Sequence, residues 1–279
     1  MSFQPTIPLP GIAGWRFLER TQASQQAAFE KGPELTRDIA YFEEKIAGVT
    51  SAAELVADRR LLKVALGAFG MESEIDKKAF VRKVLEESTS DPASLANRLT
   101  DKSWLKLAKA FGFGDPGGGR IGEVGFAAKI VAAYKTRAFE AAVGEADNSM
   151  RLAMNFRHEI AELAAQGEDG ASWFTILGSK PLRQVFEKAY GLPEEFGQID
   201  IDQQREVLAD KTGRLFAGDT VAVFKDPEAI EKVITRFLAR AQVEAGPTAT
   251  TPGAGALTLL RNATASGSQG LLNLIASLR

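Results

Sequence analysis

No proline interrupts residues 119–167, and across that stretch Val124, Ala127, Val131, Tyr134, Val143, Met150, Met154 and Ile160 recur at spacings of mostly three and four. That spacing lines apolar side chains along one face of a helix, whereas a half-buried strand would need strict alternation. The run predicts one long helix, or two joined near Gly144, acting as a strut against which shorter helices pack. The same periodicity recurs in Trp15, Leu18 and Phe29, and after Pro33 in Leu35, Ile39, Phe42 and Ile46. Ser51 with Glu54 three residues on reads as a capping box. Asp91 before Pro92 and Asp226 before Pro227 read as helix starts, with a carboxylate at the N-cap and proline at the first helical position. The only strand-like window is TVAVF, residues 220–224, too short for periodicity to separate helix from strand. The expected fold class is therefore all-α, built of degenerate helical-hairpin repeats packed around a long central helix.

Three segments carry the expectation of repeats. VADRRLLKVALGAFGM (56–71) aligns without gaps on LGSKPLRQVFEKAYGL (177–192), and RLTDKSWLKLAKAFGF (98–113) has the same ending. Each closes on Ala, an aromatic, Gly and an apolar residue. The pairs Phe69 and Gly70, Phe111 and Gly112, and Tyr190 and Gly191 are thus candidate repeat corners, with glycine supplying the positive φ of a helix closure. Their separation suggests a unit near 40 residues with one copy skipped, a period found in helical hairpin arrays. Pro5, Pro8 and Pro10 imply an extended arm over residues 1–12, ahead of a helical domain spanning 13–245. From 246 to 279 the composition turns to a Gly/Pro/Thr linker followed by LLNLIASLR. There Leu271, Leu274, Ile275 and Leu278 share one face of a short amphipathic helix, the candidate partner-binding surface.

Composition removes whole classes of chemistry. The 279 residues include no cysteine and one histidine, His158, so thiol nucleophiles, thiolate metal sites and most Ser/His arrangements are excluded. Lys plus Arg number 34 against 36 Asp plus Glu, for a net charge of −2, which provides no global field for nucleic acid. No apolar stretch reaches the roughly 18 residues that a membrane span needs, and the start lacks a secretory signal pattern, so a cytoplasmic location is expected, with flagellar-type export left open.

The remaining motifs favour structure over chemistry. GFGDPGGGR (112–120) matches G-x-G-x-x-G at Gly112, Gly114 and Gly117, but no strand precedes it and Arg120 and Ile121 replace the Lys and Ser/Thr of a phosphate loop, so a flexible interhelix loop is expected. Asp200, Asp202 and Glu206 resemble the opening of a calcium loop without its glycine and closing glutamate; Asp202 is read as an N-cap. His158 is read as a helix-surface or half-buried histidine. No catalytic residue, cofactor or metal site is expected.

The blocks AYFEEKIAGVTSAAELVADRRLLKVALGAFGM, KAFVRKVLEE and SDPASLANRLTDK with its closing AFGF resemble a family of uncharacterised alphaproteobacterial proteins encoded near flagellar genes. The similarity covers most of residues 30–240. The resemblance implies a role in flagellar assembly or motility and brings no catalytic residues. The expected function is a non-catalytic binding or scaffolding protein with a flagellar protein partner. An exported structural component of the flagellum and an enzyme of unrecognised type are the alternatives. Self-association through the C-terminal helix is one way it would act, without nucleic acid or membrane insertion. Burying the four apolar side chains of that helix is worth about 1.5–3 kcal/mol each before ordering costs. Deleting residues 257–279 is thus expected to leave circular dichroism nearly unchanged and to weaken self-association or partner capture.

Overall fold

The computed structural model describes residues 3–246, and among them every regular element is helical. In chain order the α-helices are α1 (Gly11–Glu30), α2 (Pro33–Lys45), α3 (Ala52–Ala57), α4 (Arg59–Gly67), α5 (Lys78–Glu86), α6 (Leu95–Arg98) and α7 (Ser103–Phe111). They continue with α8 (Phe126–Ala146), α9 (Asn148–Ala164), α10 (Trp173–Gly178), α11 (Lys180–Tyr190), α12 (Ile201–Leu215) and α13 (Pro227–Ala245). The chain is all-α, as its periodicity dictates.

The apolar faces close over two cores. The first gathers α2 to α7 and the front half of α8, where Phe42, Leu62, Leu66, Val84 and Phe111 are fully enclosed. The second gathers α9 to α13 with α1 and the back half of α8, around Phe156, Phe186, Phe224 and Phe237. Helix α8 belongs to both: Phe126, Ile130, Val131 and Tyr134 enter the first core, Phe139 and Val143 the second. At 21 residues it is roughly 31 Å long, enough to span two cores. Helix α1 returns the N-terminus to the second core through Trp15 and Leu18, and Phe29 packs against both.

Of the two readings of this stretch, one long helix or two joined near Gly144, the structure has two helices. At Asp147 the backbone turns extended (φ −154°, ψ 106°), and the Asp147 carboxylate accepts a 2.8 Å hydrogen bond from the N–H of Ser149. The joint is this N-cap, three residues beyond Gly144. Helix α9 then folds back along α8, bringing Arg137 to Glu159 across 22 residues of sequence. A central helix does exist, but it is α8 alone.

Local starts divide similarly. Ser51 caps α3 by accepting from the Glu54 N–H, while the Glu54 carboxylate reaches Thr50 instead of completing the box on Ser51. Asp226 caps α13 through the N–H of Glu228, with Pro227 first in the helix. Asp91 only closes a turn, and α6 begins after Ser94. Asp200, rather than Asp202, caps α12. The arm ends at Pro10 and is tied down where Gln25 exchanges hydrogen bonds with both backbone groups of Thr6. TVAVF forms a short 3-10 turn, Val221–Lys225, because this conformation drives Val221 and Phe224 into the second core. The glycine loop is held rather than loose: Asp115 accepts from the N–H and hydroxyl of Thr89 and from Ser88.

Gly70, Gly112 and Gly191 all carry positive φ, at 71°, 66° and 63°. Two close as Schellman turns, with Met71 N–H on the Leu66 carbonyl and Leu192 N–H on that of Glu187. Gly112 closes instead by a bond from its own N–H to the Ala108 carbonyl. The aromatic partners differ more. Phe111 is fully buried between Phe113 and Phe126, Tyr190 is buried and hydrogen-bonded to Thr212, and Phe69 is only half-buried. Phe111→Ala is expected to cost about 3–5 kcal/mol and Phe69→Ala only about 1–2. Gly191→Val should cost at least about 1 kcal/mol, because a β-branched residue resists the positive φ of 63°. Thermal melts of the three variants check this order.

Candidate functional site

Where α8 passes from one core to the other it carries charge. Arg137 lies between Tyr134, the last α8 residue buried in the first core, and Phe139, the first in the second. Its guanidinium donates to Glu140, one turn on, and to Glu159 of α9, both at 2.9 Å. Lys106 of α7 stands 3.8 Å from Glu159, adding a charge from the first core. The Arg137, Glu140 and Glu159 side chains are only 13%, 6% and 12% exposed. Burial raises the Glu140 pKa, an effect that Arg137 offsets only in part. Burial works against the charge of Arg137 too, but the two carboxylates outweigh it and hold its pKa up.

Beside this triad the cores part into a cleft of about 430 Å³. The first core contributes the turn Phe69–Glu72 and the Thr100–Asp101 segment. The α8–α9 hairpin supplies the triad with Arg151 and Asn155, and the opposite wall is the α10–α11 joint, Gly178 to Lys180, with Arg183. At Gly178 the walls nearly touch, since a Cβ would sit 2.9 Å from the Thr100 carbonyl oxygen. The cleft runs on past Gly70, Met71 and Asp101 into a second groove of about 530 Å³, lined by Phe80 and Trp104, whose rings meet edge to face at 5.0 Å.

Four groups in the cleft lack full partners or sit out of their ordinary range. Burial raises the pKa of Glu72. Asn155 is 7% exposed and its Oδ1 has no hydrogen-bond partner. Arg151 donates only its Nε, to Asn148 Oδ1 at 3.0 Å. Arg183 Nε lies 3.3 Å from Glu187 without hydrogen-bond geometry.

Of the candidate residues from the sequence, Phe69 and Gly70 line this cleft. Phe111, Gly112, Tyr190 and Gly191 lie elsewhere, in cores or helix closures. Leu271, Leu274, Ile275 and Leu278 fall outside the described residues. His158 is on the exposed face of α9, 3.2 Å from Glu162. Among the described residues no group of three or more His, Asp or Glu is placed to hold a metal ion, and no helix is long and apolar enough to cross a membrane. Arg137, Glu140, Asn155 and Glu159 carried no motif. Only Asn155 lay in a buried run, Leu152 to Phe156; nothing in the sequence set Arg137, Glu140 or Glu159 apart.

A family model described as "Protein of unknown function (DUF1217)" matches residues 68–230, more than half of the chain. The protein belongs to the DUF1217 family. The X-ray crystal structure of a structural-genomics target protein from Agrobacterium tumefaciens is similar to this DUF1217 member, with a TM-score of 0.70 and 26% identity. The alignment covers 88% of this chain and 100% of that one. No curated protein matches the chain. The matched region of DUF1217 runs from Ala68 through α13's first turn and so contains every cleft residue named above.

The triad generates a pH-dependent test. Arg137→Ala leaves two carboxylates buried without their cation and should cost about 3–5 kcal/mol near neutrality. Because Glu140 already titrates above its ordinary value of 4.5, the folded variant binds protons more readily than the unfolded chain. Its stability should therefore recover as the pH falls from neutral toward 4.5, opposite in sign to a carboxylate whose pKa is lowered by folding. Denaturant melts of wild type and variant across that range check it.

Proposed function

We propose that the protein is a non-catalytic binding or scaffolding protein, working in the cytoplasm on a protein partner and associated with flagellar assembly or motility. The binding half rests on one observation, the charged cleft between two cores that share α8, continuous with the groove at Phe80 and Trp104. An elongated, mixed charged and aromatic groove suits a length of polypeptide better than a small molecule that must be enclosed. The flagellar half rests on the resemblance carried by residues 40–71, 78–87 and 90–113.

An acid–base reading would use the two carboxylates of raised pKa, Glu72 and Glu140. Binding is favoured because Glu140 is held by Arg137 at 2.9 Å. The site also opens along its length instead of excluding water.

The test is crosslinking in motile cells with a photoreactive residue at exposed cleft positions of the full chain, followed by affinity capture. A flagellar export or basal-body protein crosslinked from Lys180 or Asp101, and not from a distant surface position such as Lys211, is the expected result. Capture of no flagellar component would count against the reading.

A further inference from the structure

We infer that a groove between α9, α11 and the end of α13 is the docking site of this chain's own C-terminal segment, residues 271–279, whose face of Leu271, Leu274, Ile275 and Leu278 covers it. The groove shares no lining residue with the charged cleft, and the inference does not rest on the function proposed above.

Two adjoining hollows of about 370 and 440 Å³ make the groove, and Asn148, Ser149, Lys188, Ala241 and Glu244 line both. Apolar atoms of Leu152, Leu192, Pro193 and Phe237 meet Ala241 in the first. The second core covers Leu192 only in part. The second hollow continues past Gln242 and Ala245 to Gly246, and Val243 in the same last turn of α13 is 81% exposed.

The place where the chain leaves the described fold selects the occupant. Gly246 is the last described residue and itself lines the groove. Residues 247–270 separate it from Leu271, and their Gly, Pro, Ser and Thr content is that of a linker. A linker of that length has a root-mean-square reach of about 25–30 Å, so a groove that opens at its root lies well inside it. Such a tether holds the segment at an effective concentration on the order of 1 mM, which a second copy at micromolar concentration does not match.

Charge agrees with this choice. Residues 247–279 contain Arg261 and Arg279 and no Asp, Glu or Lys. Around the groove stand Asp147, Glu187, Glu194 and Glu244. Lys188 pairs with Glu244, and Arg183 lies 3.3 Å from Glu187. Asp147 caps α9, and Glu194 is exposed with no ion-pair partner among the described residues. The rim thus keeps an excess of negative charge for a segment whose charged side chains are all positive. Exchange of tails between copies would use the same contacts, so self-association through this helix requires the tail to leave its own groove.

Disulfide trapping tests this on the full chain, which has no cysteine of its own. Gln184→Cys at the groove is paired with Ser277→Cys, beside Leu278 in the tail. The control pairs Ser277→Cys with Lys83→Cys, exposed on α5 of the first core. Under mild oxidation at micromolar chain, the groove pair is expected to close at least about tenfold faster than the control and to run as a monomer. Leu274→Ser with Leu278→Ser should abolish that advantage, and these positions lie outside the helical cores, so a loss there is not unfolding. Ala241→Arg, which fills the floor and adds a like charge, should abolish it too. Equal rates for the two pairs, a crosslinked dimer in place of the monomer, or a rate that either set of substitutions leaves unchanged would overturn the inference.

Discussion

The arrangement of both cores depends on one guanidinium. Arg137 sits at the crossing point of α8, which buries residues in both cores, and bridges it to the helix that folds back along it. Taking three charged groups out of water carries a large desolvation cost, recovered only while the hydrogen bonds keep their geometry. Sliding α9 by one turn against α8 would move Glu159 away and leave the buried charges unmatched, whereas apolar packing alone would tolerate such a slip far better. Lys106, reaching toward Glu159 from α7, extends the same constraint to the first core. Phe29, in contact with both clusters, is its apolar counterpart.

That charged step also explains why a cleft exists beside it. Apolar side chains close the space between helices in each core, but at the junction the buried groups are polar, and the walls approach closely only at Gly178 against Thr100. The result is a cleft lined by both cations and carboxylates, two of the latter, Glu72 and Glu140, with pKa raised by burial.

Features governed by neighbours in sequence were legible. The apolar period of α2, the cap of Asp226 before Pro227, and the positive φ of Gly70, Gly112 and Gly191 follow from local sterics and hydrogen bonding, and each is found in place. The break after α8 was legible only as one of two readings, near Gly144, because a helix that turns back on itself keeps the same apolar period on both sides of the turn; that Asp147 makes the cap was not. The TVAVF window stayed open for a related reason. Four apolar residues after a threonine satisfy a strand or a helical turn equally, and only the pull of Phe224 toward Phe156 and Trp173 selects the 3-10 form. Of the cleft, the ends Phe69 and Gly70 were marked by their closing motif, while Arg137, Glu140, Asn155 and Glu159 were not, since charged and amide side chains are ordinary on any helix surface until burial makes them unusual.

The sequence by itself determined an all-helical chain, the positions of several caps and closures, and the absence of thiol chemistry, because propensity, periodicity and composition act over a few residues. Tertiary structure alone decided that the helices close over two cores instead of one, that α1 joins the second and α8 both, and that a salt-bridged triad and an unpaired asparagine meet at one cleft. These follow from contacts between residues far apart in the chain, such as Arg137 with Glu159 or Gly178 with Thr100, where burial turns an unremarkable side chain into a constrained one. No local pattern encodes such pairings, because the free energy that distinguishes them arises only when water is excluded from both partners at once.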